Sequence, residues 1–89
     1  MTACQRFRVS GRVQGVGFRF AACAEARRLG ITGWVRNLSN GDVEALACGN
    51  ADQLLAFGQW LQRGPRAARV TDVVAIDASA EVHEDFIVR

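Results

Sequence analysis

The sequence predicts an α+β sandwich, one mostly antiparallel sheet with two helices packed on one face. Three observations carry that expectation. "QRFRVS" (5–10) alternates apolar and polar residues, two segments with helical apolar spacing run into glycine, and Asn40-Gly41 lies between two apolar runs. Along the 89 residues the order is β-α-β-β-α-β with a short final strand. Two βαβ crossovers sharing an antiparallel hairpin close into a ferredoxin-like arrangement.

Each element has its own local signal. In 5–10, Phe7 and Val9 share one side while Arg6, Arg8 and Ser10 share the other, as in a half-buried strand. "FRFAACAEARRLG" (18–30) places Phe18, Ala22, Ala26 and Leu29 on one helical face and Glu25 and Arg28 opposite, with Gly30 as the stop. Residues 31–49 read as two strands around Ser39-Asn40-Gly41-Asp42, since Asn-Gly supplies the positive φ that tight hairpins need. The second helix spans about 51–63, with Asn50 as cap and Gln53 at the capping-box position. Its apolar stripe is Leu54, Phe57, Gly58 and Leu61, and Gly64-Pro65 ends it. Residues 68–79 supply the fourth strand and 85–89 a closing one.

Composition narrows the function. A chain of this length supports one core, so 1–89 is expected to be a single domain. With 49% hydrophobic and 22% charged residues it is globular. No apolar run approaches the roughly 20 residues of a membrane span, and "MTACQRFRVS" lacks a signal-peptide core, so a cytoplasmic protein is expected. All eleven basic residues are arginine, which removes lysine Schiff-base chemistry, and a net charge of +2 does not call for nucleic acid. Cys4, Cys23 and Cys48 are odd in number and far apart, which argues against a disulfide framework or a zinc site and for free thiols.

The segment "GRVQGVGFRF" (11–20) is the chemically suggestive one. Glycines let successive backbone N–H groups turn toward one point, the helix start adds unpaired N–H groups and a dipole, and Arg19 can clamp two oxygens of a tetrahedral anion. It is neither a Walker A loop nor a dinucleotide fingerprint. Nor is it a cysteine phosphatase loop, because Val13 stands where the thiol would be. Local chemistry alone leaves a tight turn and an anion cradle both open.

Residues 9–19 follow V-x-G-x-V-Q-G-V-x-F-R without a departure, and Gly33-Trp34-Val35-Arg36-Asn37 follows as G-W-V-x-N. This pair of motifs resembles the acylphosphatase family, and the likeness extends over nearly the whole chain. Phe20 stands where many relatives have tyrosine, a change at the pocket rim rather than in the catalytic pair. The resemblance implies metal-free, cofactor-free hydrolysis of a small-molecule acyl phosphate, while the chain's size suits a monomer and its composition calls for no nucleic-acid or membrane partner. It implies that the backbone of Gln14, Gly15, Val16, Gly17 and Phe18, with the Arg19 guanidinium, binds the phosphoryl oxygens. Asn37 would hold the attacking water, with Phe18 and Phe20 as anchors beside Arg19.

Blander roles are expected elsewhere. His83 reads as a loop residue, Cys23 and Cys48 as small core residues, and Trp34 and Trp60 as packing residues. Arg12 and Arg36 flank the motifs as steering or surface charges, while Arg27, Arg28 and the arginines of 63–69 read as solvated. Three other readings compete. A phosphate-binding regulatory module would keep the cradle without turnover. An RNA-recognition module would need aromatics that "DVEALACG" lacks. A carbamoyl-phosphate domain would sit inside a much longer hydrogenase-maturation protein, whereas a chain starting at Met1 favours the stand-alone enzyme.

Overall fold

The alternating first segment becomes a strand near the centre of the sheet. A computed structural model describes residues 2–89, with Met1 outside the described residues. The elements are β1 (Ala3–Arg12), α1 (Phe18–Leu29), β2 (Thr32–Asn37), β3 (Val43–Gly49), α2 (Ala51–Arg63), β4 (Arg69–Ala78) and β5 (Phe86–Val88). They form one five-stranded sheet in the order β4-β1-β3-β2-β5. Every pairing is antiparallel except that of β5 with β2. Among the described residues, no helix is long and apolar enough to cross a membrane.

The inner face meets the two helices in one core. Phe7, Val9, Val35, Ala45 and Ala47 from the strands pack with Phe18, Ala22, Ala26, Leu54, Phe57 and Leu61 from the helices. Phe57 lies between Phe7 and Phe86, each ring centroid 5.8 Å away in an edge-on arrangement. Truncating such a buried ring costs about 3–5 kcal/mol. The expected helical stripes therefore face the core, with Cys23 joining α1's and Leu29 only half-buried.

β1 is longer than its alternating segment suggested. Gly11 and Arg12 continue its pairing to Val70 and Arg69 across a register shift after Ser10. Gly11 has φ 124°, and a Cβ there would run into the Arg69 carbonyl oxygen and the Thr71 amide. The first glycine of the motif thus lets β4 close on β1, and the connection to α1 begins only at Val13.

The outer face overturns one expectation and refines others. Cys4 and Cys48 stand opposite each other in the β1–β3 ladder and are bonded as a disulfide, leaving Cys23 as the free, buried thiol. Spacing of 44 residues hid this pair, because only strand register brings the two side chains together. Beside them Trp34 and Leu46 are buried, with the guanidinium carbons of Arg36 and Arg89 5.0 and 4.9 Å from the Trp34 ring centroid. Arg36 also pairs at 2.7 Å with Glu44, which is buried, so it is not a free steering charge. Arg27, expected as a solvated charge, donates to the Phe86 carbonyl and pairs with Asp85, pinning β5 to α1.

Candidate active site

Residues 13–17 connect β1 to α1 and are held at both ends by core side chains. Val13 and Phe18 are each 1% exposed, and Phe18 packs on Trp60 with ring centroids 5.7 Å apart. Between them Gly15 and Gly17 take φ values of 73° and 77°. A Cβ at either position would meet nothing within 4 Å beyond its chain neighbours, so glycine is needed there for backbone conformation and not for space. Left-handed glycines at alternate positions can turn successive N–H groups toward one side, a backbone arrangement suited to an anion.

The hydrogen bonding of the described residues leaves that turn open. The first helical bond runs from the Ala21 N–H to the Gly17 carbonyl at 3.0 Å, and none uses the backbone N–H groups of residues 15–20. Gly17 offers no capping side chain, and the first turn of α1 contains no acidic residue. The positive end of the helix dipole therefore faces the turn uncompensated.

Arg19 and Asn37 complete the surroundings. Arg19 is half-buried, and its Nη1 donates to the Arg89 carbonyl at 3.1 Å, which orients the guanidinium from across the sheet edge. Asn37 is the last residue of β2 and is exposed, and its side-chain amide makes no hydrogen bond to the described residues. Both line a cavity of about 200 Å³ together with Val13, Gly15, Gly17, Phe18 and Phe20. A water occupies about 30 Å³, so a phosphoryl group and an attacking water fit together. None of the lining residues is Asp, Glu or His.

The expected site residues divide by how they reach this cavity. Gly15, Gly17, Phe18, Arg19 and Asn37 line it, whereas the side chains of Gln14 and Val16 point elsewhere. Val16 packs against the core, and the Gln14 side chain turns away to the β2–β3 hairpin. Phe20 is 68% exposed, so it does not anchor Arg19 but forms the rim. A larger cavity of about 450 Å³ lies at the other pole of the sheet, near Gly30, Gly49 and His83. Glu81 lines it and pairs with His83 at 3.0 Å, which makes it poorly suited to an anion. Among the described residues, no three His, Cys, Asp or Glu side chains cluster as metal ligands.

The family model for acylphosphatase matches residues 5–88. This chain belongs to the acylphosphatase family. An acylphosphatase of Pseudomonas paraeruginosa is 50% identical over 86 residues, covering 97% of this chain and 94% of that protein. The structure of an acylphosphatase from Coxiella burnetii superposes with a TM-score of 0.96 at 44% identity, over 99% of this chain and 93% of that one. The acylphosphatase of Bacillus subtilis gives a TM-score of 0.95 at 38% identity, over 100% and 99%. The acylphosphatase fold is thus shared over the full chain.

Proposed function

We propose that residues 1–89 act as one acylphosphatase domain, a cytoplasmic monomer that hydrolyses small-molecule acyl phosphates to carboxylate and inorganic phosphate. One observation carries this reading: backbone N–H groups with no partner among the described residues open beside Arg19, in a cavity that Asn37, its amide likewise unbonded to them, also lines. The backbone N–H groups of residues 14–18 and the guanidinium take the phosphoryl oxygens and the charge that grows on them. The Asn37 carboxamide accepts from a water and holds it in line with the bond to be broken. A P–O bond to water forms as the bond to the acyl oxygen breaks. The departing carboxylate carries the electron pair, and the water's proton passes to a phosphoryl oxygen.

The leaving group explains the spare machinery. A carboxylate leaves readily, so the site needs positioning and charge stabilisation more than a strong base. That matches a cavity without a carboxylate or imidazole in its wall, and the step calls on no metal.

Phosphate release from benzoyl phosphate with a chelator present tests the proposal, and turnover is expected. Arg19→Ala should lose nearly all activity, more than about 100-fold, while keeping its circular dichroism spectrum. Asn37→Ala should lose turnover yet still bind inorganic phosphate. Full activity in that variant would remove the water-positioning role, and phosphate binding without turnover in the native protein would leave a regulatory binding module. Light scattering checks the monomer, and cell fractionation with thiols trapped at lysis checks the location.

A further inference from the structure

Gln14 sits within the cradle segment, but its side chain leaves it. We propose that Gln14 is a positioning residue for the water site, its carboxamide fixing where Asn37 stands relative to the anion cradle. The inference rests on the reading of Asn37 given above. The Gln14 Nε2 donates to two backbone carbonyls, that of Leu38 at 2.7 Å and that of Asp42 at 2.9 Å. Because both partners are acceptors, only the NH₂ end of the amide can face them, and both its protons are used.

Those carbonyls form the neck of the β2–β3 hairpin, directly after Asn37. The neck is already closed by its own bonds. Leu38 N–H donates to the Asp42 carbonyl at 2.8 Å, Gly41 N–H to the Leu38 carbonyl at 3.2 Å, and Asp42 N–H to Asn40 Oδ1 at 3.0 Å. The turn therefore keeps its shape without Gln14, which adds position and not form. The β1–β3 ladder ends at the Val9–Val43 pair. Beyond it, among the described residues, the two Gln14 bonds are the hydrogen bonds that tie residues 13–17 to 38–42. Phosphoryl group and water are thus held on two segments whose hydrogen-bonded link, among the described residues, is this one side chain. A displacement of about 1 Å between reacting partners can cost about 100-fold in rate.

Gln14→Leu keeps the side chain's bulk and the backbone N–H but removes the tie. Its kcat on benzoyl phosphate should fall about tenfold or more, while inhibition by inorganic phosphate stays within about twofold of the native value. Combined with Asn37→Ala, it should cost little beyond Asn37→Ala alone, because there is no longer a water site to misplace. Gln14→Glu turns a carboxylate toward two carbonyl oxygens and should be equally impaired near neutral pH. Relative to the native enzyme it should regain activity on acidification, as the protonated carboxyl can donate to one carbonyl. Gln14→Leu should show no such recovery.

Unchanged kcat in Gln14→Leu, phosphate inhibition weakening in step with kcat, or a fully multiplicative loss in the double variant would each overturn the inference. If Asn37→Ala retains its kcat, the water reading itself fails. If Asn37→Ala is impaired and Gln14→Leu is not, only the positioning role falls.

Discussion

The two helices of this protein begin at opposite ends of the sheet and in opposite ways. α2 closes its own N-terminus: Asn50 Oδ1 accepts from the Gln53 N–H at 2.8 Å, and Gln53 Oε1 accepts from the Asn50 N–H at 2.7 Å. Gln53 also donates to the Leu29 carbonyl at 2.9 Å, which caps the end of α1 from the side. The Cys4–Cys48 bond joins β1 and β3 at the same pole. At the other pole α1 starts from Gly17, with no capping side chain and with free N–H groups. A capped start satisfies its first N–H groups internally, while an uncapped one leaves them available to an anion. One pole is closed on itself, and the other is left open.

Closing the open pole should have the largest effect. Gly17→Asp sets a carboxylate where the phosphoryl oxygens belong, and benzoyl phosphate turnover should fall more than about 100-fold. The φ of 77° adds a destabilisation of about 1–2 kcal/mol for a residue with a Cβ, readable in denaturant unfolding. Retained activity would mean that the anion does not sit against this turn.

Opening the closed pole should act on stability alone. Reducing Cys4–Cys48 releases a cross-link spanning 44 residues, and about 2–4 kcal/mol of unfolding free energy should go with it. Turnover at 25 °C should stay the same wherever the reduced protein remains folded, and a loss there would show that the two poles communicate. The smallest change comes from Asn50→Ala, which removes one half of the capping box. It should cost about 1 kcal/mol, seen as a lower melting temperature with kcat unchanged.

Much of this contrast could be read before any coordinates. The capping box of α2 is a local pattern of two residue types three apart, and it occurs where Asn50 and Gln53 placed it. The glycines of 11–17 announced unusual backbone, but they could not be told apart. Gly11 serves the packing of β4 on β1, while Gly15 and Gly17 shape the turn. The sequence puts Phe20 at the pocket rim and also beside Arg19 as an anchor, and its exposed place on α1 keeps only the rim. Gln14 was legible as a backbone donor only, since the carbonyls its side chain reaches are 24 and 28 residues away.

The sequence by itself determined the order of elements, the core stripes of both helices and the family motif that carries Arg19 and Asn37. These depend on periodicity, capping and spacing, which act within a few residues of each other. The tertiary structure decided the Cys4–Cys48 bond, the ion pair that takes up Arg36 and the Gln14 tie. Each of these depends on strand register or on two turns meeting in space. A shift of one residue in pairing would send the same side chains to the other face.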